Sequence, residues 1–219
     1  MAYSLVAQTK ASGANTFTTS AIDTTGANLL VIFVSRYSVT SATLSDSKGN
    51  SWTKLSNASG TNIVGSFFYC TNPTVGSGHT FTLTGTSIYA VIAVQAWSGA
   101  NTVAPFDAEN IGTPGTGTSI ATGSVSPSVN DELVVAGLTT NSTDIFGINS
   151  SFTISGQEPF TLNVNFGGAM AYLVQTTKGA VNPTWSWTNS ANAAAAIACF
   201  KPSSGASGGP SFVFQPFAI

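Results

Sequence analysis

The feature that most restricts the fold is an echo. The stretch "TSAIDTTGANLLVIFVS" in the first half returns as "TGSVSPSVNDELVVAGLT" in the second, with Leu29 matching Leu133. "NSWTKLSN" returns as "SSFTISGQ", so that Trp52 falls opposite Phe152. The long stretch "FFYCTNPTVGSGHTFTLTGTSIYAVIAVQAWSG" is answered by "MAYLVQTTKGAVNPTWSWTNSANAAAAIACFKP", which sets Phe81 and Leu83 against Trp185 and Trp187. A unit that occurs twice must bury the same face twice, so the chain reads as two half-repeats, about 17–100 and 119–201.

Within each repeat the alternation has period two. In "TFTLT" and "TWSWT" large apolar residues alternate with hydroxyl residues, the pattern of a strand with one buried and one solvated face. β-Branched runs bounded by Gly, Asn, Ser and Pro recur along the chain, and helical periodicity is nearly absent. The expectation is therefore an all-β sandwich of jelly-roll type, residues 1–201, built from two similar half-repeats. Each half looks short of a second sheet, so the halves are expected face to face, covering both apolar surfaces at once. Trp185 and Trp187 would then share one core with Phe81 and Leu83. Residues 202–210 read as a flexible linker and 211–219 as an extended apolar arm.

The surface expected on such a fold is unusual, because 42% of the 219 residues are hydrophobic and only 6% are charged. Solubility must come from Ser, Thr, Asn and Gly, which suits a protein outside cells. Lys10, Arg36, Lys48, Lys54, Lys178 and Lys201 are scattered singly, so no basic cluster exists to bind nucleic acid. Apolar runs such as Leu29 to Val34 have strand length, which argues against membrane insertion. The start, "MAYSLVAQTKASG", lacks a basic segment followed by an apolar one, so no Sec signal is expected. Cys70 and Cys199, in "FFYC" and "IACF", read as buried thiols, with a cross-strand disulfide as the alternative.

Candidate sites are few. Asp46 to Asn50 in "LSDSKGNSWTKL" resembles a calcium loop, but too few oxygen ligands and an intervening lysine favour a hairpin turn with Gly49 and Asn50 at positive φ. Asp107 and Glu109 are spaced for one side of a strand, the only hint of a weak metal site; no cofactor and no structural cation is expected. His79 stands alone at a strand start, read as partly exposed, and no Ser-His-Asp set is evident around it. The acidic residues lie mainly at turns and strand ends, so no catalytic pair is expected. Loops such as Thr139 to Asn149 offer room for a small polar site.

Taken together, "NLLVIFVS", "LSDSKGNSWTKL", "FFYCTNPTVGSGHTFTLTG", "AVIAVQAWSGA", "DELVVAGL" and "AAAAIACFKP" resemble a β-sandwich domain that recurs in phage structural proteins and bacterial surface or secreted proteins. The resemblance covers most of residues 17 to 201 and rests on packing and turn motifs. It implies no catalytic residues. An extracellular-looking surface without an export signal suits a phage protein released by host lysis, so the expectation is a non-enzymatic virion protein, a capsid decoration or cement protein or a tail or fibre adhesin, at the virion surface. Its partners would be capsid or tail proteins, further copies of itself, and in the adhesin case a host-surface glycan. An extracellular carbohydrate-binding module is the alternative. The partner-binding residues expected are Phe212, Val213, Phe214, Phe217 and Ile219 of the arm. Burying them would contribute roughly 8–15 kcal/mol gross, nearly offset by ordering nine backbone residues at about 1–2 kcal/mol each. One arm is a weak clip, effective where many copies act together.

Overall fold

A computed structural model describes residues 2–37, 41–86, 88–160 and 166–203. The linker and the arm with Phe212, Val213, Phe214, Phe217 and Ile219 lie outside the described residues. Within them the chain is all-β, without a helix. The first half supplies β1 (Ser4–Ala14), β2 (Phe17–Thr18), β3 (Leu29–Tyr37), β4 (Ala42–Asp46), β5 (Thr53–Gly60), β6 (Ile63–Thr71), β7 (Phe81–Gly85) and β8 (Tyr89–Ser98). The second supplies β9 (Phe106–Ile111), β10 (Gly115–Ala121), β11 (Glu132–Thr140), β12 (Gly147–Ile148), β13 (Thr153–Phe160), β14 (Phe166–Gln175) and β15 (Thr184–Phe200).

One pairing scheme serves both halves. The first forms a large sheet in the order β1-β8-β3-β6-β5 and a small one in the order β2-β7-β4. In the second, β15 does the work of two strands: Ala193–Phe200 pair with β11, and Thr184–Ser186 pair with β10 and β12. With β9 alongside β15, the large sheet runs β9-β15-β11-β14-β13 and the small one β10-β15-β12. The registers also correspond, for Leu29 faces Thr71 and Trp97 while Leu133 faces Val174 and Phe200. Each half thus has the strand order of a jelly roll, with its fifth strand on the edge of the large sheet.

The halves do meet through their large sheets, but each brings its own second sheet. Such small sheets are hard to read in a sequence because β2 and β12 are two residues long, too short to display alternation. The result is four layers enclosing three cores. Odd-numbered Leu29, Val31 and Phe33 of β3 meet Leu133 and Val135 of β11 in the middle core. Even-numbered Leu30, Ile32 and Val34 turn outward onto Phe81 and Leu83 of the first small sheet. Val134, Ala136 and Leu138 turn the other way, onto Trp185 and Trp187. Strands buried on both faces read as continuous apolar runs, which accounts for "LLVIFV" and "LVVAGL". The shared core expected for Phe81, Leu83, Trp185 and Trp187 is therefore corrected: they occupy equivalent positions in two different outer cores.

Close approach of the large sheets depends on unequal partners at equivalent sites. Phe33 and Gly137 match in the repeat, and the Phe33 ring lies over Gly137: a Cβ there would stand 2.6 Å from Phe33 Cζ and closer still to Cδ2 and Cε2. A buried relay crosses the same interface, Trp97 Nε1 donating to Gln95 Oε1 at 2.9 Å and Gln95 Nε2 to Ser155 Oγ at 2.6 Å. Lys10 of β1 pairs with Glu158 of β13 at 2.9 Å.

Candidate functional site

Among the described residues, three places gather chemically useful side chains. The first is the turn that carries the chain from β4 in the small sheet to β5 in the large one; the two strands pair with β7 and β6 and not with each other, so the expected hairpin is corrected to a crossing between sheets. Asp46 Oδ1 accepts from the backbone N–H of Lys48 at 2.8 Å, and Oδ2 accepts from Trp52 Nε1 at 3.0 Å. Gly49 has φ of 74°, as expected, whereas Asn50 is absent from the left-handed region and uses its amide to bond Asp46 Oδ1 at 3.1 Å and the Thr74 carbonyl at 3.1 Å. His79 is wholly buried, not partly exposed: its Nε2 lies 3.0 Å from Asp46 Oδ1 and its Nδ1 2.9 Å from Thr24 Oγ1. This makes a Thr-His-Asp line that spacing could not reveal, since Thr24 in the β2–β3 loop, Asp46 at the end of β4 and His79 just before β7 come from distant segments. The hydroxyl of Thr24 is 0% exposed and also engages the Gly76 backbone, and the His79 ring stacks on Phe81 at 4.4 Å. With the His79 and Asp46 side chains and Thr24 all 0% exposed, the line works as a clamp that ties the end of β4, the segment before β7 and the β2–β3 loop together.

The second place is the corner where β9, β11 and the end of β15 meet. In the register, Cys199 faces Ala108 and Phe200 faces Phe106, leaving Asp107 as the extra residue of a β-bulge. That bulge breaks the alternation that placed Asp107 beside Glu109. Glu109 goes instead to Ser56, accepting from its N–H at 3.1 Å and its hydroxyl at 2.9 Å. Asp107 turns toward Glu132 and Cys199, and one ligand atom from each of the three lies within 4.8 Å of the others. Lys201 Nζ is 2.7 Å from Asp107 Oδ1, while Ser128 donates to Asp107 from its N–H at 2.9 Å and its hydroxyl at 3.0 Å. Glu132 Oε1 accepts from the Val129 N–H at 2.9 Å; Oε2 is buried without a hydrogen-bond partner.

The electrostatics follow from burial. Burial raises the Asp107 carboxyl, but the bonds from Lys201 and Ser128 outweigh it and hold the group below its usual range. Glu132 is raised, by burial first and then by the Asp107 charge, against the opposing backbone bond from Val129. Burial and the neighbouring Glu132 push the Cys199 thiol up to about 12. The Tyr3 hydroxyl, which donates to the Lys201 carbonyl at 2.7 Å, is raised for the same reasons. Cys70 and Cys199 are both free and buried, in different cores.

The third place is a polar cleft of ≈ 300 Å³ lined by Asn141, Ser142, Thr143, Asp144, Asn189 and Ser190, within the loop region where a small polar site was expected. Asp144 accepts from Thr188 N, Asn189 N and Asn189 Nδ2 at 3.1, 2.6 and 2.9 Å, and Asn141 Oδ1 is buried without a partner. No protein-family model matches the chain, and neither a curated protein nor a solved structure is significantly similar to it.

Proposed function

We propose that this is a non-catalytic structural protein of a virion surface, a capsid decoration protein or a tail or fibre adhesin. The observation that carries the reading is the sealing of its chemistry. The one histidine and its partner Thr24 are buried and the side chain of Asp46 is 0% exposed, while the outward faces of the small sheets present hydroxyls: Thr43, Thr84, Ser186 and Thr188 are exposed. A rigid pair of jelly rolls with a hydroxyl-rich surface offers contact area. Jelly rolls serve viral capsids and lectins alike, an analogy at the level of fold. In this reading the apolar arm, Phe212 to Ile219, docks in trans onto a capsid protein or a second copy. Density-gradient sedimentation of a phage lysate tests it: the protein should travel with intact particles, and a protein found only in the free fractions overturns the proposal.

The polar cleft favours a second reading, carbohydrate binding. Amide and carboxylate side chains converge there as hydrogen-bonding partners for sugar hydroxyls, without an aromatic platform. A glycan array with the purified protein and its Asp144→Ala variant decides it, since a genuine site gives binding that the variant loses.

A further inference from the structure

The corner cluster of the second half has a counterpart in the first. Glu132 precedes Leu133 as Asn28 precedes Leu29, Cys199 precedes Phe200 as Ala96 precedes Trp97, and Asp107 occupies a bulge in β9 where Val6 occupies one in β1. One copy of the fold therefore closes this corner with Val6, Asn28 and Ala96. Nothing in the strand architecture demands two carboxyls and a thiol in the other. Asn28 is satisfied there, exchanging two hydrogen bonds with the Ala100 backbone at 2.9 and 3.1 Å. Glu132, 0% exposed, leaves Oε2 buried and unpartnered beside Asp107 and Cys199. A carboxylate oxygen in that state is costly unless something positive meets it.

We propose that Asp107, Glu132 and Cys199 form a binding site for a divalent transition metal of borderline softness, with Zn²⁺ the first choice. The donor set selects the ion: calcium and magnesium take oxygen ligands throughout, whereas one sulfur with two carboxylates suits zinc. Bonds of roughly 2.0–2.3 Å in a tetrahedral site hold ligands about 3.3–3.8 Å apart. Atoms already within 4.8 Å of one another have at most about 1–1.5 Å to close. Three protein ligands leave a fourth position for water. The Lys201 ammonium is the resident cation at the mouth; its side chain is 34% exposed and swings into solvent as the metal enters. Ser128, bonded to Asp107 through N–H and hydroxyl, is the outer support that fixes this ligand. The thiol proton leaves to solvent as sulfur coordinates. The site departs from the expectation of no metal and stands independently of the virion reading.

Cobalt(II) titration of the purified full chain at near-neutral pH tests the site through the thiolate-to-cobalt charge-transfer band. One equivalent should bind with that band and be displaced by Zn²⁺. Cys199→Ser should abolish the band, Glu132→Gln should weaken binding at least about tenfold, and Cys70→Ser should change neither. Both ligand substitutions are buried and can unfold the chain, so Lys201→Met at the mouth supplies a second arm: removing a competing cation should tighten cobalt binding about fivefold. Absence of uptake, uptake without the band, a band that survives Cys199→Ser in folded protein, or unchanged or weaker binding by Lys201→Met overturns the proposal.

Discussion

Gly137→Ala separates two physical arguments of opposite sign. Glycine inside a strand is about 0.5–1 kcal/mol worse than alanine, and Gly137 lies mid-strand outside the positive-φ set, so backbone entropy alone favours the substitution. Packing says the reverse. The new Cβ would stand 2.6 Å from Phe33 Cζ and nearer to Cδ2 and Cε2, against an optimal carbon separation of roughly 3.5–4.0 Å. The ring has nowhere to retreat: a Cβ on Gly65, in the ring's own sheet, would lie 2.5 Å from Phe33 Cζ, and Phe67 packs at 4.7 Å between centroids. Accommodation must push the two large sheets apart, so the cost should reach the upper part of the overpacking range, about 2–3 kcal/mol, after the backbone gain. Equilibrium denaturation in urea, read by tryptophan fluorescence and far-UV circular dichroism to check two-state behaviour, measures it. In a Phe33→Leu background the penalty should largely vanish, giving a coupling energy of at least about 1.5 kcal/mol in the double-mutant cycle. A neutral or stabilising Gly137→Ala, or additivity with Phe33→Leu, would refute the idea that this pair sets the spacing of the halves.

Trp187→Ala should cost about 3–5 kcal/mol, and it should be additive with Phe81→Ala within about 0.5 kcal/mol because the two lie in separate cores; strong coupling would restore the single shared core. Asp46→Ala strands the Trp52 indole and the His79 ring and should cost about 2–4 kcal/mol in chemical denaturation, a loss under 1 kcal/mol counting against the clamp. The hydrogen bonds from Asn189 hold the Asp144 carboxyl below its ordinary 3.8. Its contribution should then be full above that value and fade as pH falls through the lower folded one, so the gap between wild type and Asp144→Asn should narrow as the pH is taken below 3.8; a gap independent of pH would contradict this. Truncation after Ser203 should leave the melting temperature unchanged while abolishing particle association, whereas a much lower melting temperature with assembly intact would return the arm to its own core.

Long apolar runs announced β3, β8, β11 and β15 because both faces of these strands are covered, and the aromatic-hydroxyl alternation of Phe81 to Thr84 and Trp185 to Thr188 told inside from outside. The repeat was legible for the same reason. Less visible were β9 and β12: a bulge at Asp107 disrupts the first, and the second has two residues. The clusters were harder still. Thr24, Asp46 and His79, like Asp107, Glu132 and Cys199, meet only through pairings between distant strands, and no short-range spacing encodes such meetings. A useful signal was nevertheless present in the echo itself, where Glu132 and Cys199 stand against Asn28 and Ala96.

The start, the middle and the end of the described chain converge at one corner. Tyr3 bonds the Lys201 carbonyl, Asn101 N–H donates to Lys201 O at 3.0 Å, and Ser203 N–H donates to Gly99 O at 2.7 Å. From this corner β11 runs to Thr140 at the opposite end, where the Asn141–Asp144 cleft begins; nine residues at about 3.4 Å of rise put the two ends about 27 Å apart. If the segment beyond Ser203 docks as proposed, this corner is the pole by which the molecule is held and the cleft lies at the other. Any pull on the chain beyond Ser203 enters next to the N-terminal strand and the joint between the halves, so it loads both jelly rolls together and does not peel one from the other. A protein held by that pole would stand its polar cleft off from the surface beneath it, like a bracket whose fixing and fitting lie at opposite ends.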